Sequence, residues 1–168
     1  ISLCDKIKIS RAPKGIIVSS DKFITRNPKD NLAYRAAAAI LNYKKVKSGV
    51  NIKITKNIPI AAGLGGGSSD AAAVLAGINK LFKLRLGQKE LTRIARRLGA
   101  DVPFFLIDSP FAVGRSRGDR LRAIHSKARF WHLLIWPGFG VSTKKTYEAF
   151  DAGLLPKGLT RRQGNAKI

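Results

Sequence analysis

Gly63-Leu-Gly-Gly-Gly-Ser-Ser-Asp70 runs directly into a stretch whose apolar residues recur at helical spacing, namely Ala71, Val74, Leu75, Ile78, Leu81 and Phe82. Glycines expose backbone N–H groups and let an anion approach them closely. The start of a helix adds unpaired N–H groups and the positive end of a dipole. Together these features predict a cradle for a phosphate group. The hydroxyl groups of Ser68 and Ser69 can reach a phosphate oxygen or a phosphate-bound Mg²⁺.

Two common nucleotide-binding loops do not fit this segment. A Walker loop ends in Gly-Lys-Ser/Thr, which does not follow here. The dinucleotide fingerprint needs an acidic residue after a following strand, about 20 residues further on, and none is found. The alternative to a cradle is a flexible glycine turn capped by Ser68. Four glycines in five positions, directly before a well-patterned helix, favour the cradle.

Short strand patterns and helical patterns alternate along the rest of the chain. Strands are predicted for residues 7–9, 16–18, 50–54 and 130–136. Helical spacing recurs in residues 32–41, 71–82, 91–98 and 143–150. Asp30 or Asn31 can cap the first helix, and Gly99 can end the third. Because the alternation is not a strict βαβ repeat, we predict an α+β fold, with one domain over residues 1–150 and an unassigned basic tail over residues 151–168.

The chain is strongly basic, because 32 Lys and Arg residues stand against 10 Asp and Glu, for a formal net charge of +22. Such a charge is typical of nucleic-acid binders and also suits phosphate-bearing small molecules. Aromatic residues are not interleaved with the basic clusters, as stacking platforms for bases require, so nucleic acid is the less favoured partner. No apolar run approaches the roughly 20 residues of a membrane span. The single cysteine, Cys4, excludes an internal disulfide bond, and we expect reducing, cytoplasmic surroundings.

A second motif, Gly99-Ala-Asp101-Val-Pro-Phe-Phe105, follows the third helix. Asp101 is one of few acidic residues and precedes an apolar run. A carboxylate in this position is either an ion-paired loop residue or a general base that points into a pocket. Spacing alone favours the ion-paired loop residue.

The run from residue 57 to residue 105 resembles the GHMP kinase superfamily, which includes galactokinase, homoserine kinase and mevalonate kinase. GLGGGSSDAA together with GADVPFF resembles the branch whose substrate is 4-diphosphocytidyl-2-C-methyl-D-erythritol. Further likenesses lie in DNL with RAA (residues 30–37), in FAVGRSRGD (residues 111–119), and in PG with VST (residues 137–143). The resemblance covers residues 1 to about 150.

The resemblance implies a fold similar to the superfamily's N-terminal domain, which is related to the second domain of ribosomal protein S5. The family's opening Pro-x-Lys-x-Asn-Leu strand, its Asp-Gly-Tyr-His segment and its second, ferredoxin-like domain do not appear in the sequence. We therefore expect the middle of a longer kinase, incomplete at its start and inactive by itself. In the family, the Lys of the opening strand partners the catalytic Asp.

The resemblance also implies ATP-dependent phosphorylation of the substrate's 2-hydroxyl in the non-mevalonate route to isoprenoid precursors, with ATP and Mg²⁺. Asp101 would be the catalytic base, and Asn31 and Lys56 would lie near the adenine. Thr143 and Tyr147 would contact the cytidine of the small-molecule substrate. The ATP phosphates would be wrapped by Pro59, Ile60, Ala61, Ala62, Gly63, Leu64, Gly65, Gly66, Gly67, Ser68 and Ser69. The alternatives are an inactive fragment and a basic nucleic-acid-binding module that keeps the fold.

Overall fold

The computed structural model describes residues 2–126, 128, 130–136, 138 and 142–153. Its strands are β1 (Lys6–Ala12), β2 (Ile16–Ser20), β3 (Gly49–Thr55), β4 (Phe111–Arg115) and β5 (Arg120–Ile124). Its α-helices are α1 (Leu32–Tyr43), α2 (Gly66–Leu81), α3 (Gln88–Leu98) and α4 (Thr143–Asp151). Two short 3₁₀ helices span Pro28–Asp30 and Val102–Leu106. The predicted α+β class is confirmed.

The main sheet has the strand order β1-β3-β2, with β1 antiparallel and β2 parallel to the central strand. Ile52 of β3 lies opposite Ile9 on one side and Val18 on the other. Residues at matched register share a face of a sheet, so these apolar side chains form one continuous surface. This surface is the floor of the hydrophobic core.

Helices α1 and α2 pack on that floor. Fully buried residues of α1, α2 and β3 include Ala33, Ala36, Ala37, Ile40, Val50, Ile54, Val74, Leu75 and Ile78. Burial of each Val, Leu or Ile side chain among them contributes about 1.5–3 kcal/mol. Helix α2 lies close to β1 at Gly77. A Cβ on Gly77 would lie only 2.6 Å from Cδ1 of Ile9. The alanine run of α1 and Gly77 thus bring both helices near the sheet.

Strands β4 and β5 form a separate antiparallel hairpin, in which Arg115 lies opposite Arg120. The sequence analysis predicts no strands there. It does predict a strand over residues 130–136, and that prediction is wrong: within the described residues this stretch pairs with no strand. Trp131 is fully exposed, and Leu133 is 89% exposed. A strand forms only where a neighbour supplies hydrogen bonds, and apolar pattern alone does not supply one.

The predicted strands around residues 7–9, 16–18 and 50–54 are confirmed, as are the first and third helices. Helix α2 begins at Gly66, earlier than the apolar pattern indicates, so part of the glycine segment is itself helical. None of the helices in the described part of the chain is long and apolar enough to cross a membrane.

Candidate functional site

A cavity of about 530 Å³ opens at the N-terminus of α2. Its wall is formed mainly by consecutive residues of the loop between β3 and α2. These wall residues are Pro59, Ile60, Ala61, Ala62, Gly63, Leu64, Gly65, Gly66, Gly67 and Ser68. Asn31, Lys56 and Asp70 complete the lining together with Ile24, Thr25, Asp30 and Leu32. Almost all of the residues predicted to wrap ATP phosphates therefore share one cavity.

A side chain on either of two glycines at the start of α2 would be crowded by its neighbours. Gly65, the N-cap residue, has a φ of +68°, a left-handed conformation that other residues adopt at a cost. A Cβ on Gly65 would lie 3.0 Å from Cζ of Phe105. A Cβ on Gly66 would lie 3.0 Å from Cγ2 of Ile58 and 3.2 Å from Nζ of Lys56. The helix start is therefore bare backbone facing the cavity.

Among the described residues, no side chain caps the N-terminus of α2. The first intrahelical bond runs from the N–H of Ser69 to the carbonyl of Gly65, at 2.9 Å. The N–H groups of the preceding residues have no partner within the helix. With the helix dipole, they create a positive end suited to an anion.

The two serines of the motif line different cavities. Ser68 lines the cavity. The hydroxyl of Ser69 donates to the carbonyl of Gly66 at 2.9 Å. Ser69 lines a neighbouring cavity together with Leu64 and Phe105. Of the two serines, Ser68 is thus the one that lines the loop cavity.

A buried ion triad lies beneath the loop. The ammonium of Lys56 contacts Oδ2 of Asp70 at 2.9 Å and also pairs with Asp5. The three side chains are at most 5% exposed. Oδ1 of Asp70 is buried and has no hydrogen-bond partner within the part of the chain described. Two carboxylates therefore share one ammonium next to the cavity.

The protonation of the triad follows from this crowding. Burial raises the pKa of Asp70 to about 6, although the ammonium of Lys56 opposes the rise. Burial alone would raise the pKa of Asp5, but hydrogen bonds from Lys56 and two backbone N–H groups hold it below the usual value. Burial would lower the pKa of Lys56, yet its two carboxylate partners outweigh this and raise it. Asp70 is thus the member whose charge changes nearest to neutral pH.

Two carboxylates also fix the backbone where the chain enters the loop. Oδ1 of Asp5 accepts from the N–H groups of Asn57, at 2.7 Å, and Ile58, at 2.8 Å. Oδ1 of Asp21 accepts from the N–H of Lys56 at 2.9 Å. Asp5 precedes β1 and Lys56 follows β3, so the pair continues the ladder beyond its last register pair. The loop therefore departs from a rigid sheet edge.

Asn31 and Lys56, predicted near the adenine, both border the cavity but have other partners. Oδ1 of Asn31 accepts from the N–H of Ala33 at 2.8 Å, so Asn31 caps α1. The ammonium of Lys56 is held by the two carboxylates of the triad. Both side chains thus stabilise the wall of the cavity.

Asp101 is the N-cap residue of the 3₁₀ helix Val102–Leu106 and is exposed. It is absent from the described lining of the loop cavity. Within the described residues, its carboxylate forms no ion pair. Phe105 of the same motif packs against Gly65, so the two sequence motifs meet in space.

Thr143 and Tyr147 lie one turn apart on α4. Their side chains lie outside the described residues, as do residues 154–168 of the basic tail. Across the residues described, no group of three or more His, Cys, Asp or Glu could hold a metal ion.

Residues 31–109 match the family described as GHMP kinases N terminal domain. These residues form a GHMP kinase N-terminal domain. A 4-diphosphocytidyl-2-C-methyl-D-erythritol kinase from Syntrophus aciditrophicus is 44% identical over 154 residues, which cover 92% of this chain and 55% of that protein. A protein of the same name from Moorella thermoacetica is 43% identical over 152 residues, with 90% and 53% covered. The chain spans about half the length of the curated relatives it matches.

Solved structures agree with this GHMP kinase domain. A crystal structure of 4-(cytidine 5'-diphospho)-2C-methyl-D-erythritol kinase superposes with a TM-score of 0.71 at 36% identity, covering 88% of this chain and 52% of that one. Homoserine kinase from Cytophaga hutchinsonii superposes with a TM-score of 0.66 at 22% identity, over 94% of this chain and 53% of its own. The second match supports the fold alone.

Three acidic residues around the loop, Asp5, Asp21 and Asp70, were not predicted from the sequence as site residues. Asp5 and Asp21 are remote in sequence from the backbone groups that they bind, whereas Asp70 ends the glycine motif. One signal was available: the chain has only 10 acidic residues against 32 basic ones. Acidic residues retained in so basic a chain are candidates for specific pairing.

Proposed function

We propose that this chain is the ATP-binding part of an enzyme that transfers a phosphoryl group from ATP to the 2-hydroxyl of 4-diphosphocytidyl-2-C-methyl-D-erythritol. This step belongs to the non-mevalonate route to isoprenoid precursors and takes place in the cytoplasm. The observation that carries the proposal is the bare glycine backbone at the start of α2, which opens into the loop cavity. The identity of the substrate is supported by the names of relatives, and this chain covers about half the length of each. The activity is therefore proposed for the longer enzyme.

The loop residues fit the phosphates of ATP. The N–H groups of Gly66, Gly67 and Ser68 would donate to phosphate oxygens, and the hydroxyl of Ser68 would add a further donor. When bound, ATP supplies the phosphoryl group that is transferred. Phosphoryl transfer depends mainly on positioning and charge stabilisation, which a rigid backbone cradle provides. The triad of Asp5, Lys56 and Asp70 would keep that cradle in place.

Asp101 is the proposed catalytic base. Its carboxylate would accept the proton of the substrate hydroxyl as the hydroxyl oxygen bonds to the γ-phosphorus of ATP and the bond from that phosphorus to the bridging oxygen breaks, which releases ADP. Support comes from the packing of Phe105 on Gly65, which fixes the Asp101 motif against the start of α2. Thr143 and Tyr147 are the proposed contacts to the cytidine, with Tyr147 stacking on the pyrimidine.

Within the described residues, no group of three or more His, Cys, Asp or Glu could hold a Mg²⁺ ion by itself. In this site Mg²⁺ would be coordinated mainly by phosphate oxygens and water, as is usual for this ion. We propose ATP as the cofactor, with Mg²⁺ carried by its phosphates.

Calorimetric titration of the chain with ATP tests the proposal. We expect saturable binding that RNA oligonucleotides do not displace, without turnover of substrate by this chain alone. The net charge of +22 makes nucleic-acid binding the second candidate function. Tight RNA binding with a steep salt dependence, together with no heat on addition of ATP, would support that candidate and contradict ours.

A further inference from the structure

A second cavity, of about 620 Å³, lies between helix α3 and the β4–β5 hairpin. Of its six described lining residues, four are arginines: Arg96, Arg115, Arg120 and Arg122. Val113 and Leu121 complete the lining. None of these residues lines the glycine-loop cavity. We name this second cavity the arginine pocket.

The register of the hairpin places its arginines side by side. Arg115 lies directly opposite Arg120, and Val113 lies opposite Arg122. Residues two apart on a strand share a face, so Arg120 and Arg122 share one with Arg115. Like charges directly opposite each other across a ladder repel. A hairpin that holds three guanidinium groups on one face is therefore suited to an anion between them.

The acidic residue nearest in the chain, Asp119, pairs mainly with Arg117 and interacts more weakly with Arg96. Oδ2 of Asp119, in the turn of the hairpin, accepts from Arg117 at 3.2 Å, and Arg117 is not part of the lining. The backbone carbonyl of Asp119 accepts from Nε of Arg96 at 3.1 Å. This bond orients the guanidinium of Arg96 and leaves its remaining N–H donors available. No acidic residue is among the described lining of the arginine pocket.

We propose that the arginine pocket binds a small anion with at least two phosphate groups, at a site separate from the glycine loop. The planar fork of arginine donors matches phosphate oxygens in bidentate geometry. The pocket volume lies within the roughly 300–1,000 Å³ typical of small-molecule sites. Aromatic residues, which single-stranded nucleic acids use for stacking, are missing from the described lining. A compact polyphosphate therefore fits better than a nucleic-acid strand.

The test uses inorganic tripolyphosphate as the probe and calorimetry on the whole chain at constant ionic strength. The pocket variant is Arg120→Gln/Arg122→Gln. The control is Lys53→Gln/Lys89→Gln, which removes the same charge from exposed positions on β3 and α3. We expect the pocket variant to bind tripolyphosphate at least tenfold more weakly and the control within twofold of the wild type. All four positions are exposed, and circular dichroism verifies that each variant is folded.

Four results would overturn the proposal. Unchanged affinity in the pocket variant would show that these arginines bind nothing specific. An equal loss in the control would mean that net charge alone attracts the probe. Loss of all tripolyphosphate binding in Gly66→Ala would mean that the probe binds only at the glycine loop. Amide chemical shifts distinguish the two sites: perturbation at residues 113–122 with tripolyphosphate supports the pocket, whereas perturbation there only with RNA assigns it to nucleic acid.

Discussion

The ammonium nitrogen of Lys56 lies 2.9 Å from Oδ2 of Asp70, and this buried pair joins the residue before the glycine loop to the first turns of α2. The loop is thus closed at its base by an ion pair that is itself anchored to Asp5. Because both ends of the loop are fixed, its backbone N–H groups are oriented before any ligand arrives. Preorganised donors are more effective than donors that a ligand must order.

Asp70 makes stability depend on pH. Burial raises its pKa to about 6 from 3.8. The folded state therefore holds this proton more tightly, and the resulting stabilisation is fully present below pH 3.8 and is lost as the pH rises through about 6. The free energy of unfolding of Asp70→Asn, measured relative to that of the wild type, should therefore increase by up to roughly 3 kcal/mol as the pH rises from about 4 to about 7. Urea denaturation across this range measures the difference, and a pH-independent difference would contradict the prediction.

Asp5→Ala should be strongly destabilising. Oδ1 of Asp5 accepts two backbone N–H groups, and the same carboxylate pairs with Lys56. Removing one partner of a buried ion pair typically costs about 3–5 kcal/mol. Scanning calorimetry should detect a large fall in Tm, whereas the exposed Asp108→Ala should remain close to the wild type. Equal Tm values for the two variants would refute the role of Asp5.

Gly66→Ala should weaken ATP binding about tenfold or more, because the added Cβ would crowd Ile58 and Lys56 and displace the cradle. The better helix propensity of alanine, about 1 kcal/mol, offsets part of the strain, so Tm should change by only a few degrees. Gly87→Ala is the matched control, since a Cβ there meets nothing within 4 Å at the start of α3. Calorimetric titration measures both; unaltered ATP affinity in Gly66→Ala excludes the cradle.

Asp101→Asn should lower kcat by about 10²–10⁴ in the full-length enzyme, because asparagine cannot accept the hydroxyl proton. KM values for ATP and substrate should change much less, since the lost interaction belongs to the transition state. Asp108→Asn serves as the control for loss of a nearby exposed carboxylate. A kcat of Asp101→Asn within threefold of the wild type would identify Asp101 as a surface residue.

Local patterns in the sequence predicted the three strands of the main sheet, the start of α1 and the end of α3. These features depend on residues close together in the chain, such as Asn31 capping α1. The glycine segment as a phosphate cradle stays a prediction. The boundary of a domain at residue 150 stays a prediction. The role of Asp101 also stays one, because a base is defined by its position relative to a substrate.

The rest was beyond sequence patterns, because it depends on contacts between distant residues. Asp5 and Lys56 are separated by 51 positions, and neither has a neighbour in sequence that indicates the other. The β4–β5 hairpin was missed because its arginines mask the alternation of apolar residues. For residues 130–136 the error was the opposite, because a strand was predicted where none forms. Their composition is typical of a strand, but they have no described partner strand.

The position of Asp5 and Lys56 at the end of the β1–β3 ladder has a consequence for the order of folding. Helices α1 and α2 depend on local contacts and can form early, whereas β1 and β3 pair across some fifty residues, a slow step by comparison. The carboxylate of Asp5 reaches Lys56 only when that ladder is complete to its last pair, Lys6 with Thr55. A nascent domain with both helices formed but β1 unpaired would contain the entire glycine motif and still lack its anchor. Nucleotide binding would therefore report completion of the sheet.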